Sequence, residues 1–154
     1  MDEVLLFLVK HLSFLYKDLG FKIVNSDHDK RYAGNGSVVL QSGDLKLEII
    51  YNGRDKQLSL AVHNPKFCKK SYDWYSVDIL WQLVKGEIFV QSKEMEAYDV
   101  NDLNDGPKIF ENIVPVFLKE HIATIVEYLT GEDAEENFKK MRLMEKARAK
   151  RLFG

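Results

Sequence analysis

Three large aromatic side chains and one carboxylate are adjacent near the middle of the chain. These residues are Tyr72, Asp73, Trp74 and Tyr75. Aromatic side chains anchor many protein interfaces, because they give a large contact area at a low cost in conformational entropy. Two of the rings could instead fill the core between a helix and a sheet, and the sequence favours both interpretations about equally. The segment is therefore a candidate partner-binding site.

An acidic stretch follows this aromatic segment. Its carboxylates are those of Glu94, Glu96, Asp99, Asp102, Asp105 and Glu111. Such a set can form a negative surface that attracts a cationic partner. A solvated loop has the same composition and is the more frequent outcome. The leading hypothesis is a protein-binding module that uses this stretch together with the aromatic segment.

The C-terminal end of the chain is rich in cations. They are Lys139, Lys140, Arg142, Lys146, Arg148, Lys150 and Arg151. These cations could lie along a nucleic-acid backbone, where binding comes from counterion release and weakens with salt. They also suit the negative end of a helix dipole, which is the simpler explanation. The formal net charge of -2 speaks against nucleic acid, because domains that bind it are usually basic overall. Nucleic-acid binding is therefore the alternative function.

Other residues with catalytic or metal-binding chemistry are isolated in the sequence. His28 stands between Asp27 and Asp29 and could serve as a metal ligand or a general base. Neighbouring side chains of a loop need not converge, so a polar surface loop is the favoured interpretation. Cys68 and His63 do not have the spacing of a zinc site. Because the sequence lacks a nucleophile elbow, a phosphate loop and a dinucleotide fingerprint, we expect a non-enzymatic protein without a metal or cofactor.

The composition indicates an ordinary globular protein. The chain has 154 residues, of which 45% are hydrophobic and 30% are charged, and this fits one domain. The single cysteine excludes an intramolecular disulfide and favours a reducing compartment, so we expect a cytoplasmic location. No segment is long and apolar enough to span a bilayer, and a membrane is not an expected partner.

The elements that must position these residues centre on a meander between residues 37 and 63. Alternating apolar residues predict strands over 37–41, 45–51 and 58–63, with turn residues between them. A short strand over 21–24 would make the sheet four-stranded, and residues 25–31 resemble a polar loop. One face of this sheet is polar, so helices must cover the other face.

Helices are predicted on both sides of the meander. A largely apolar helix spans residues 2–19, and Ser76 can cap a helix that ends before Gly86. The structure of residues 87–105 is left open, because the segment fits either a strand or a helical continuation before an acidic loop. A long helix begins at Gly106-Pro107, and Pro115 is expected to kink or divide it.

The predicted architecture is α+β in a single domain over residues 1–154. It has a mainly antiparallel sheet of about four strands covered by helices. A weakly amphipathic basic helix at the C-terminal end, within residues 132–154, is able to project from the domain.

Two stretches of the chain carry a resemblance to a known group of proteins. Gly53-Arg54-Asp55-Lys56-Gln57-Leu58-Ser59-Leu60 is a polar turn that enters a strand, and Trp74-Tyr75-Ser76-Val77-Asp78-Ile79-Leu80 is an aromatic-serine start of a helix. Within residues 36–86 they resemble small immunity proteins of bacterial polymorphic toxin systems. The resemblance implies a cytosolic, non-enzymatic protein that neutralises a cognate toxin by tight binding, often through acidic surfaces. It assigns no site residue, and the basic final helix departs from the acidic character that it implies.

Overall fold

The sheet forms where turn residues separate alternating strands. The structure is a computed structural model that describes residues 2–29, 31, 34–70, 73–102 and 104–154. The strands are β1 (Lys22–Asp29), β2 (Asn35–Ser42), β3 (Leu45–Asn52), β4 (Gln57–His63) and β5 (Tyr75–Ser76). They pair as antiparallel neighbours in the order β1-β2-β3-β4-β5. Gly43 turns β2 into β3 with a left-handed φ of 57°, which glycine adopts without steric cost.

The helices complete an α+β fold, as the sequence predicted. They are α1 (Asp2–His11), α2 (Ser13–Lys17), α3 (Val77–Lys85), α4 (Asp105–Thr130) and α5 (Ala134–Phe153). The register aligns Leu40 of β2 with Leu47 of β3, and Leu47 with Val62 of β4. All three side chains are completely buried, so these residues mark the face of the sheet that belongs to the core. α1 packs on β2 and β3, while α3 and α4 pack on β4.

β1 is longer than predicted, and the sheet has one more strand than predicted. The sequence indicated a polar loop over 25–31, but Asn25 to Asp29 continue β1 and pair with β2. Their polar side chains do not conflict with a strand, because β1 is an edge strand and its side chains are almost all exposed. A bulge lies between Ile23 and Asn25. At the other edge, Tyr75 of the short β5 pairs with Val62.

The first predicted helix is interrupted at Leu12. This residue has a φ of −121° and separates α1 from α2. The N–H of Leu15 donates to the carbonyl of Leu12 at 3.0 Å, which is a tighter turn than that of an α-helix. Leu12 and Leu15 both remain fully buried, so the break redirects the chain without taking its apolar stripe out of the core.

α4 continues through Pro115, so of the two expected effects, a kink or a division, the helix is not divided. Proline removes one backbone hydrogen bond, the bond that its nitrogen would donate to the carbonyl of Glu111. Glu111 is exposed, so water can satisfy that carbonyl. The ring of Pro115 is itself buried in the core, and this burial favours keeping proline inside the helix.

α3 and α5 pack against each other beside the sheet. α3 begins after Ser76 and ends before Gly86, which has a left-handed φ of 71°, as predicted, but the Ser76 hydroxyl caps no backbone N–H and bonds to the Asp78 carboxylate. Phe138 and Met141 of α5 are fully buried, so the first half of this helix belongs to the core. Two 3₁₀ turns, Phe89–Gln91 and Lys93–Met95, occupy the segment that the sequence left open. Among the described residues, no helix combines the length and hydrophobicity that crossing a membrane requires.

Candidate functional site

One face of the sheet carries the side chains that alternate with the core set, and we call it the open face. By register it includes Asn25, Asp27 and Asp29 of β1, Ser37 and Val39 of β2, Lys46, Glu48 and Ile50 of β3, and Ser59, Ala61 and His63 of β4. The alternation of β3 produces this face directly, because Leu45, Leu47 and Ile49 are buried while the residues between them are not. The open face is therefore a largely polar surface held on a rigid sheet.

Three carboxylates of the open face surround a hollow of about 240 Å³, which we call the acidic hollow. They belong to Asp27 and Asp29 of β1 and Glu48 of β3. Ser37 lies between them on β2, opposite Asp27 in the register. The three acids come from two strands with a fixed register and line the same hollow, and Arg31 beyond the end of β1 also bonds to the Asp29 carboxylate.

The pKa values of two carboxylates in the acidic hollow, those of Glu48 and Asp29, are shifted in opposite directions. Burial raises the pKa of Glu48 above its ordinary value, and a hydrogen bond from Ser37 opposes this change only in part. The pKa of Asp29 is lowered by hydrogen bonds from Arg31, whose Nε lies 3.2 Å from Oδ1. Glu48 is therefore a partly desolvated carboxylate, and a cation that reaches the hollow would stabilise its ionised form.

The aromatic segment contributes one ring to the border of the open face. The indole of Trp74 is half-buried and stacks on the imidazole of His63, with the ring centres 4.7 Å apart. The His63 Nδ1 lies 2.9 Å from the backbone oxygen of Asp73, and the Asp73 carboxylate accepts the N–H of Lys70 at 3.2 Å. The register places His63 on the open face, opposite Lys46. Because Trp74 stacks on His63, it covers that end of the face.

The other aromatic candidates do not form an exposed cluster. Tyr75 is 2% exposed and its ring lies 6.0 Å from that of Phe138, so it is a core residue and not the exposed anchor that the sequence suggested. Tyr72 lies outside the described residues. The sequence could not separate these roles, since the pairing of Tyr75 with Val62 in β5 decides which ring faces the core.

The acidic stretch lies away from the aromatic segment. Glu94 binds Lys85 at 2.8 Å, which lowers the pKa of Glu94 and places it beside the last turn of α3. Asp73 precedes the first turn of α3, and the nine residues of this helix rise about 13 Å between the two groups. The aromatic segment and the acidic stretch therefore lie at opposite ends of α3.

The carboxylates of the acidic stretch also have local structural roles. Asp99 accepts the N–H of Asn101, and Asp102 accepts the N–H of Asn104, each at 2.9 Å. These bonds hold the turns that lead into α4. Glu96 is exposed, as are Asp99 and Asp102, so the stretch remains a negative surface of its own.

The basic residues of α5 are divided between partly buried and exposed positions. Arg148 binds the carboxylate of Asp78 at 2.7 Å, and Arg142 donates to the carbonyl of Phe67 at 3.3 Å. Lys139 lies 3.8 Å from Glu135 on its own helix. The cations with exposed side chains are Lys139, Lys140, Lys146, Lys150 and Arg151.

The metal or base site that the sequence analysis considered around His28, but did not favour, does not assemble. His28 lies opposite Gly36 in the register, whereas Asp27 lies opposite Ser37, so the two side chains leave opposite faces of β1. Across the described residues, no group of three His, Cys, Asp or Glu side chains could hold a metal ion. Cys68 is buried, and burial raises the pKa of its thiol, which disfavours the nucleophilic thiolate.

Glu48 was missed by the sequence analysis. The signal was present, since Glu48 occupies a polar position of the alternating strand β3 and shares that side of the sheet with Lys46. Its proximity to Asp27 could not be predicted, because the continuation of β1 beyond residue 24 was not recognised.

Comparisons with known proteins give one partial similarity. No family model and no solved structure matches the chain. A proline iminopeptidase of Flavobacterium johnsoniae is 27% identical over 110 residues. The aligned residues are 71% of this chain and 35% of the iminopeptidase, so the chain spans about a third of the length of that relative. A similarity of this extent does not place the chain in a family.

Proposed function

We propose that the chain is a non-enzymatic protein-binding module whose open face binds a cationic partner, in the manner of an immunity protein that neutralises a toxin. The observation that carries the proposal is the acidic hollow, which Asp27, Asp29 and Glu48 line together on one face of the sheet. Side chains held on strands lose little freedom when a partner binds, which lowers the cost of association. A negative surface also raises the rate at which a cationic partner arrives.

Glu48 is the expected centre of this interface. Its carboxylate is partly removed from water and its hydrogen bond to Ser37 does not neutralise it. An arginine or lysine of the partner would supply the missing charge. Removing one partner of such a close charge pair commonly costs about 2–5 kcal/mol of binding free energy.

Trp74 gives the same face an apolar edge. Trp74 stacks on His63, which lies opposite Lys46 of β3. Ile50, which borders the acidic hollow, comes four residues after Lys46 on the same strand. Four strand residues correspond to about 13 Å, so Trp74 and the acidic hollow fit within one interface of ordinary size, about 800 Å² per partner. A cationic surface with an adjacent apolar patch is therefore the partner chemistry that we propose.

The test compares three forms of the chain as baits in lysates of the native host. They are the wild type, the double variant Asp27→Asn/Glu48→Gln, and the matched control Glu96→Gln/Asp102→Asn in the acidic stretch. We expect wild type and control to retain a stoichiometric cationic protein, and the hollow variant to bind it at least about tenfold more weakly. Equal retention by all baits, or loss from the control alone, would refute the open face as the site.

The immunity role requires a second result from the same partner. The captured protein, expressed alone, should arrest growth, and expression of the wild-type chain should restore it. The hollow variant should fail to restore growth. If the captured protein does not arrest growth, the chain is a protein-binding module, and the immunity role is rejected.

A second candidate function is nucleic-acid binding through α5. The exposed cations Lys139, Lys146 and Lys150 favour it, because their spacing places them along one side of the helix. The same pull-down tests it, with nuclease-treated lysate as the comparison. Recovery of nucleic acid that is lost with Lys146→Glu/Lys150→Glu would favour this function over the first.

A further inference from the structure

α1 has an apolar side that faces away from the core. Leu6 and Val9 are 68% and 63% exposed, and Leu5 is 40% exposed. The opposite side of the same helix gives the buried residues Val4 and Leu8 to the core. A helix that is apolar on both sides has a second surface to bury, and clustered exposed apolar residues commonly mark a protein contact.

A groove of about 530 Å³ lies next to this apolar side. α1, the hairpin of β3 and β4, and the first turn of α4 enclose it, and its apolar lining includes Phe7, Tyr51, Leu58 and Pro107. Leu6 and Val9 border the same groove. The surface therefore carries both apolar projections and an apolar recess, which is what a self-complementary contact requires.

The charges of α1 have opposite signs at its two ends. Its first turn contains Asp2 and Glu3, and its last turn contains Lys10 and His11. Two copies of such a helix that pack antiparallel bring the acidic turn of each next to the basic turn of the other, and their helix dipoles are also opposed favourably. This charge pattern makes α1 complementary to the same helix of a second copy in the antiparallel arrangement.

We infer that this face of α1 binds a second copy of the chain in a two-fold symmetric dimer. The axis crosses α1 near Leu6, so that Leu6 and Val9 of each protomer enter the groove of the other. Glu3 of one protomer then lies near Lys10 of its partner, and the same contact occurs twice. α1 packs on the core side of the sheet, so the dimer leaves both open faces accessible. This inference does not depend on the proposed function.

Sedimentation velocity of the full chain over a wide concentration range tests the dimer. We expect a reversible monomer–dimer equilibrium, and Leu6→Glu should weaken it at least about tenfold. The matched control is Leu143→Glu on α5, because Leu143 is 66% exposed and lies outside the groove. The control should dimerise like the wild type.

Exchanging the charges of Glu3 and Lys10 tests the dimer independently of the substitution Leu6→Glu. Glu3→Lys and Lys10→Glu should each weaken the dimer, and the double variant should restore it, because the exchanged charges again face each other. Both substitutions are on the surface of α1, so they also decide the question if Leu6→Glu does not fold. A monomer at every concentration, equal effects of Leu6→Glu and Leu143→Glu, or a double variant weaker than either single one would overturn the inference.

Discussion

At the scale of single residues, Glu48 illustrates the cost of keeping a carboxylate in a partly buried place. Burial raises its pKa, so the folded protein binds this proton more tightly than the unfolded chain does. Above that pKa the ionised carboxylate destabilises the folded state, and this penalty disappears as the pH falls and the folded state takes up the proton. A destabilising charge that persists on the surface of a sheet is consistent with a role in binding.

We predict that Glu48→Gln raises the melting temperature at pH 7. The amide keeps an oxygen that can accept the hydrogen bond from Ser37, but it carries no charge to desolvate. Thermal melts followed by circular dichroism should show the difference from wild type shrinking as the pH falls from 7 towards about 4.

Asp29 provides the opposite case as a control. Arg31 lowers the pKa of Asp29, so its contribution to stability is present at neutral pH and is lost as the pH falls through the lowered pKa. Asp29→Asn should therefore give no increase in melting temperature at pH 7. A Glu48→Gln protein that melts below the wild type at pH 7 would contradict this description of Glu48.

At the scale of elements, Arg148 joins the end of α5 to the start of α3. Its Nη1 lies 2.7 Å from Oδ2 of Asp78 and 2.8 Å from Oγ of Ser76, and Ser76 also binds Asp78. The Arg148 and Asp78 side chains are 27% and 30% exposed, so solvent screens this pair less than a surface pair. The basic residues of α5 thus include one whose role is to fix the helix.

We predict that Arg148→Met destabilises the protein by about 1–2 kcal/mol, since it removes the charge-assisted hydrogen bonds that Arg148 donates to Asp78 and leaves only the bond from Ser76. For a chain of this length, that loss corresponds to a decrease of about 2–8 °C in melting temperature. Lys150→Met is the matched control, because Lys150 is exposed on the same helix. Equal melting temperatures for the two variants would show that the contact with α3 does not stabilise the protein.

At the scale of the whole molecule, the sequence predicted the parts of the fold that depend on local pattern. The alternation of β3 and the turn at Gly43 defined the meander, and Ser76 and Gly86 marked the ends of α3. The second half of β1 was not predicted. An edge strand with little to bury does not need apolar residues, so its sequence resembles a loop.

The site depended on information that local pattern does not contain. Asp27 and Glu48 are separated along the chain, and the register of β1, β2 and β3 places both on the lining of one hollow. Trp74 and Tyr75 are neighbours, yet one borders the open face and the other lies in the core. The burial of individual aromatic residues and the placement of charges from different strands are tertiary properties, which local sequence patterns do not contain.

Site-specific photo-crosslinking tests whether the open face of the sheet binds the partner. A photoreactive phenylalanine analogue at Ser59 would sit on the exposed part of the open face, and one at Val116, which is 55% exposed on α4, serves as control. With the partner captured from the native host, we predict a crosslinked complex from position 59 and none from position 116. Crosslinking from position 116 without crosslinking from position 59 would place the partner on the helical side and contradict the account.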